Sequence, residues 1–169
     1  MIMYIETTRM IIRDFALKDA ADLHEILGDN ETMKNCEPAY DFEKTKSFLA
    51  DFCIGRKGAV AAVHKGSGKV IGYILFNEFE ENVYEMGWIF NQNFWQQGYA
   101  YESCKAVMDY AFGELKAHKI FAETVDAVKS THLMKKLGMG LEGIQKSQTK
   151  DSYGNWTDLY LYGLVEGKA

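Results

Sequence analysis

Between residues 83 and 104 the hydrophobic period changes from two to about three and a half across one polar turn, and little else in the chain is as restrictive. Along Val83 to Phe90 both alternating faces are apolar, Tyr84, Met86, Trp88 and Phe90 on one and Val83 and Ile89 on the other. That pattern predicts a strand covered on both sides. After Asn91, Gln92 and Asn93, Gly98 opens a segment in which Ala100, Cys104, Val107, Ala111 and Leu115 recur at three- and four-residue intervals, which predicts a helix beside the strand's end. Lys119 to Val125 then reads as a strand again. Strand, crossover helix and strand imply a parallel pair with its ligand cleft at the strands' carboxyl ends. The first helical amides are unpaired donors at the positive end of the helix dipole, so this corner is a candidate anion site.

Glu85 and Gly87 interrupt the strand's apolar pattern. A carboxylate in a strand fit for burial is costly unless it is paired or faces a solvated cleft, and a glycine two residues on removes the side chain that would fill that cleft. Glu85 is therefore either a functional carboxylate or a structural one bonded across strands.

The chain before this junction begins with Arg9 to Arg13, an apolar run between cations that suits a strand. Asp19 is positioned to cap a helix with Leu23, Ile26 and Leu27 inward, closed by Gly28. The segment 29–40, with the only proline, Pro38, reads as a short helix and a loop lining a cleft. Asp41 starts a second helix whose stripe is Thr45, Phe48, Leu49 and Phe52. From 59 onward the period is that of a sheet, and the runs 59–65, 69–79 and 83–90 form an antiparallel meander through tight turns. The helix over 98–117 carries Gly113 in its interior, at roughly 1 kcal/mol relative to alanine. Ser130 opens a short helix with Leu133, Met134 and Leu137 inward, stopped by Gly138. Strands over 141–149 and 157–165 flank a turn at 151–155. The sum is an α/β (α+β) chain, with a mixed, mostly antiparallel central sheet of about seven strands and helices on both faces, in a single domain over 1–169.

Composition narrows the partners. A net charge of −5 argues against nucleic acid or an anionic membrane, since both want clustered Lys and Arg, and favours a cationic substrate. No stretch approaches the roughly 20 apolar residues of a membrane span. Cys36, Cys53 and Cys104 are odd in number, and neither they nor the four histidines show metal-ligand spacing. They read as reduced thiols in a cytoplasmic protein, with no metal site.

Trp95-Gln96-Gln97-Gly98-Tyr99-Ala100-Tyr101-Glu102, preceded by Glu85-Met86-Gly87-Trp88, resembles the Trp-Gly-Lys-Gly-Tyr-Ala-Thr-Glu loop of the GCN5-related N-acetyltransferase (GNAT) superfamily, in its ribosomal-protein-alanine/serine N-acetyltransferase-like subgroup. Thr8 to Arg13 with Asp19 is similar to the family's opening Thr-x-Arg-Leu-x-Leu-Arg. Ser130 to Gly138 with Glu142-Gly143, and Gly154 to Leu164, resemble two later segments, so the likeness spans nearly the whole chain. It implies the acyl-CoA N-acyltransferase fold and transfer of an acetyl group from acetyl-CoA to a primary amine. The amine is a protein N-terminus or a small molecule, and attack is direct within a ternary complex. The alternative is a CoA-binding module that has lost catalysis and serves regulation or interaction. In the family's manner, Gln96, Gln97, Gly98, Tyr99 and Ala100 would hold the pyrophosphate through backbone amides. Gln96 and Gln97 stand where the subgroup has Gly and Lys or Arg, which shifts that task from a side-chain cation to the backbone. Ala127 falls where the family often has Asn.

Acetyl transfer needs a free lone pair, yet a lysine-like amine titrates at roughly 10.4, so a base must take a proton at neutral pH. Glu85 is the candidate, directly or through water. Trp88, Ile89 and Phe90 would supply a backbone amide at a bulged strand end to polarise the thioester carbonyl. Many relatives protonate the leaving thiolate with a tyrosine where this chain has Met134, which has no proton to give; Ser130 either substitutes for it or is simply a helix cap. Exposed aromatics near the C-terminal strands suit a homodimer.

Overall fold

The apolar runs of period two pair into one sheet in the computed structural model, which describes residues 2–168. Its strands are β1 (Tyr4–Glu6), β2 (Met10–Asp14), β3 (Ala59–His64), β4 (Lys69–Glu80), β5 (Val83–Phe90), β6 (Lys119–Thr124), β7 (Gly140–Lys150) and β8 (Trp156–Val165). Eight strands lie in the order β1-β2-β3-β4-β5-β6-β8-β7. Only β5 and β6 run parallel; the other neighbours are antiparallel. The strand beyond the expected seven is β1, three residues too few to carry a readable period, set against β2 by a turn in which Thr7 donates its amide to the Met10 carbonyl at 2.9 Å.

Helices α1 (Ala20–Leu27), α2 (Asn30–Met33) and α3 (Phe42–Phe48) pack on one face, α3 running on into a π-helical turn over Leu49–Gly55. Leu23, Ile26 and Leu49 are fully buried there against Ala61, Val70 and Tyr73. Each such aliphatic side chain contributes roughly 1.5–3 kcal/mol by leaving water. The other face carries α4 (Tyr99–Gly113) and α5 (Lys129–Lys136), with Cys104, Val107, Met108 and Ala111 against Met86, Ile120 and Ala122. Cys104 is packing material, as its place on the apolar stripe implied.

Helix ends follow side-chain chemistry, with differences from the sequence reading. Asp41 caps α3 by accepting from the Lys44 amide at 2.8 Å. Asp19 occupies the corresponding position before α1 but turns back, accepting from Arg13 at 2.8 and 3.0 Å and from the Ala16 amide at 2.8 Å, because a guanidinium fork outcompetes a single helix amide. Helix α4 stops at Gly113 rather than at 117, so the interior-glycine penalty does not arise. Lys116 adopts a left-handed φ of 58°, and the Ala117 amide returns to the Ala111 carbonyl at 2.9 Å.

The feature that makes a site is where pairing ends. Strands β5 and β6 are in register only from Val83↔Lys119 to Glu85↔Phe121. Beyond that, β5 stays with β4 as far as Gly72↔Phe90, and β6 stays with β8 as far as Thr124↔Tyr160. A V-shaped gap opens between them at their carboxyl ends.

Candidate active site

One wall of the gap is the corner between β5 and α4. Among the described residues, the amides from Gln96 to Tyr101 donate to no backbone or side-chain acceptor. Gln96 at φ 60° and Gly98 at φ 84° turn the loop so that these donors gather at the start of α4. Gly98 needs its freedom twice over, since a Cβ there would also meet Arg9 Nη2 at 3.2 Å. Trp95 Nε1 donates to the Phe90 carbonyl at 2.7 Å and ties the loop to the strand.

The corner is braced from the far end of the chain. Arg9 donates to Glu102 Oε1 at 2.7 Å and to the Gln97 carbonyl at 2.9 Å, and its guanidinium lies 4.2 Å from the Tyr99 ring centre. Glu102 also accepts from Thr7 and from the Arg9 amide. Burial alone would raise the Glu102 carboxyl, but the hydrogen bonds from Thr7 and Arg9, with Arg9's charge, hold it below the usual range. A diphosphate would therefore meet free amides and a saturated carboxylate. Lys129, with Nζ 5.4 Å from the Trp95 ring centre, adds a cation from α5 that the loop itself lacks.

The floor is β5. Asn91 donates its amide to Ile71 at 2.8 Å, and the register against β4 is unbroken from Gly72↔Phe90 to Glu78↔Tyr84. Backbone groups alternate along a strand, so those of Ile89 point to β4 while those of Trp88 and Phe90 point into the gap. No bulge is needed to present them: the register shift in this hairpin lies at Glu78/Glu80. The side chains of Trp88 and Phe90 pack into the α4 face, and that of Ile89 goes to the opposite face.

Glu85 is half-buried on that opposite face and makes no hydrogen bond or ion pair with a described residue. Burial, and then the Glu123 carboxylate, push its pKa up. Parallel register sets Glu85 beside Phe121, which places Glu123 on the same face. Ser130 is not the cap of α5. The N-cap position is Val128, and Asp126, two residues before it, accepts from the Val128 and Lys129 amides at 2.8 and 2.9 Å, because its side chain lies one turn before Ser130, where the free amides point. Ser130 is left half-buried in the first turn, and Met134 is in the core.

A hollow on the Glu85 face, bounded by Ile89, Tyr73 and the segment from Met33 to Tyr40, matches the expectation that 29–40 lines a cleft. The Ser152 hydroxyl and amide donate to the Lys34 carbonyl at 2.5 and 3.3 Å, so the β7–β8 tip meets the loop after α2. Sequence reasoning had treated Arg9 as a strand flank, and it passed over Glu102 and Tyr73. Arg9 had one signal, its place in the opening Thr-x-Arg motif; Tyr73 had none.

The geometry has a match among known proteins. The model of the Acetyltransferase (GNAT) domain family fits residues 9–140. The chain belongs to this family; it is an acetyltransferase, and acetyl-CoA is the family's acyl donor. It is 33% identical over 167 residues to the uncharacterized N-acetyltransferase YnaD of Bacillus subtilis (strain 168), covering 97% of this chain and 98% of that one. A GNAT-family acetyltransferase from Bacillus anthracis superposes with a TM-score of 0.88 at 32% identity, covering 97% of this chain and 99% of the other. Ribosomal-protein-S5-alanine acetyltransferase from Vibrio fischeri shares the fold, with a TM-score of 0.82 at 18% identity and coverage of 98% and 97%. Among the described residues, no helix is long and apolar enough to cross a membrane.

Proposed function

We propose that the protein moves an acetyl group from acetyl-CoA to a primary amine, by direct attack within a ternary complex and without a covalent enzyme intermediate. One observation carries this reading: a gap in the sheet with amides on one side and a carboxylate on the other that are all unpaired among the described residues. The amides from Gln96 to Ala100 would hold the pyrophosphate, and the backbone groups of Trp88 and Phe90 would line the acyl-bearing arm. Glu85 takes a proton from the ammonium so that nitrogen can bond to the acetyl carbon as the carbon–sulfur bond breaks. Burial, and then Glu123, raise its pKa, which makes it a stronger base than a free carboxylate. The Ser130 hydroxyl, free of capping duty, is the nearest candidate to return a proton to the thiolate. A thiol titrating at roughly 8.5 leaves tolerably without help, so Ser130 has the lesser role.

The acceptor is a protein N-terminal α-amine or a small-molecule amine. The Vibrio fischeri neighbour is named for the first kind. The reading takes 1–169 as one catalytic domain in a cytoplasmic protein. Thiol release from acetyl-CoA across an amine panel tests it: amine-dependent release is expected, and tight CoA binding without any such release would instead make the chain a catalytically silent CoA-binding module.

A further inference from the structure

The hollow on the Glu85 face has a volume of about 210 Å³ and is walled by Met33, Tyr40, Phe48, Phe52, Tyr73 and Ile89, with Cys36 and Glu37 exposed at its mouth. Its walls are held by ring contacts. Phe48 stacks on Phe52 at 5.2 Å and meets Tyr40 edge-on at 5.7 Å, so the shape is set before anything enters.

Two polar groups on this face lack hydrogen-bond partners among the described residues. The side chain of Tyr73, only 7% exposed, lines the hollow and gives its hydroxyl to no described residue. Burial pushes that hydroxyl's pKa well up, so it keeps its proton. Glu85 also lies within electrostatic reach of the Tyr73 hydroxyl and has no cation, and Glu123, its neighbour across the gap, has none among the described residues either. A half-buried carboxylate without a counter-charge is costly, and an ammonium would relieve it.

We propose that the acceptor is a primary amine carried on a single apolar group about the size of an aromatic ring, with the group in this hollow and the amine towards Glu85. This rests on the reading of the gap as an acetyl-transfer site and narrows its substrate. A dry protein cavity of about 150 Å³ takes a benzene ring, so this hollow holds one ring and a short linker. A polyamine would want carboxylates along its length, whereas the hollow's one carboxylate, Glu37, already lies 3.3 Å from Lys44 Nζ. An aminoglycoside would want many polar partners, which aromatic walls do not offer.

Initial rates with 2-phenylethylamine, ethylamine and spermidine decide the matter. The kcat/KM for 2-phenylethylamine is expected to exceed that for ethylamine at least tenfold, with spermidine below it; a smaller ratio or a preference for spermidine overturns the proposal. Cys36→Trp, which plugs the mouth from an exposed position, should raise the KM for 2-phenylethylamine at least tenfold more than that for ethylamine. Equal KM values in variant and wild type would also overturn it. If no amine is acetylated, the acetyl-transfer reading falls while the hollow is still judged by calorimetric titration of 2-phenylethylamine into the CoA complex. Saturable heat lost in Cys36→Trp supports the site, and absence of heat in the wild type removes it.

Discussion

On the α4 side of the gap, Arg9, Glu102, Thr7 and the Gln97 carbonyl form one closed network, whereas on the opposite side Glu85 and Glu123 face each other with no cation from the described residues. The first arrangement fixes backbone amides in advance of a ligand. A diphosphate has one shape and one charge, so the donors that receive it can be set rigidly and the strain at Gln96 held by a brace. The second arrangement leaves a cost in the folded protein that a cationic ligand removes. Residues that bind or react are often kept in this unmet condition at the expense of stability. On the proposed reading, the difference would separate a cosubstrate corner built for an invariant group from an acceptor side built to be completed by its substrate.

Substitutions on each side should sharpen or break that contrast. Gly98→Val is expected to have the largest effect, a loss of CoA affinity of 100-fold or more in calorimetry with the fold retained by circular dichroism. A valine at φ 84° is strained and its Cβ presses on Arg9. Unchanged affinity would end the assignment of the corner.

Glu85→Gln comes next, with kcat lower by about 10²-fold at neutral pH and CoA affinity unaltered. The deficit should shrink as pH approaches the amine's own pKa of roughly 10, where no base is required. Stability should move the other way. The folded pKa of Glu85 is raised, so its contribution is present below the free-carboxylate value of roughly 4.3 and lost as pH rises through the folded value. The glutamine variant should thus melt no lower than the wild type at pH 7. A clear loss of melting temperature would make Glu85 a structural carboxylate.

Glu102→Gln tests the brace on the other side. Its folded pKa is depressed, so its contribution is present above the free-carboxylate value and lost as pH falls through the folded one. The variant should lose about 1–3 kcal/mol at pH 7, in keeping with charge-assisted hydrogen bonds, and the loss should fade in acid. CoA affinity should fall several-fold with it, and denaturant melts at two pH values would show whether the network stabilises at all.

Ser130→Ala should do least, lowering kcat a few-fold while stability stays within about 0.5 kcal/mol, because Asp126 already satisfies the amides at the start of α5. A loss near 1 kcal/mol would return Ser130 to a capping role.

Much of the fold was legible because its signals are local. The switch of period at Gly98, the turns at 66–68 and 80–82, and the left-handed Gly138 each report on neighbouring backbone alone, and all stand within a residue of where the sequence put them. Of the candidate site, the β5 floor and the amide corner were readable for the same reason. Asp19, Gly113 and Ser130 were misread as to local role because each was judged against its own helix. A guanidinium, a left-handed turn and another carboxylate decided those ends.

What the sequence determined by itself is therefore the strand, turn and helix at 83–104 and the parallel crossover to β6, since hydrophobic period and one glycine specify them within a few residues. The tertiary structure decided where β5 and β6 part company, that Arg9 reaches a loop 88 residues away, and that Ser152 closes on Lys34 across 118 residues. It also left Tyr73 and Glu85, on a shared face, with no hydrogen-bond or ion-pair partner among the described residues. Such facts depend on which side chains packing brings together over long separations, and a pattern read along the chain carries no record of them.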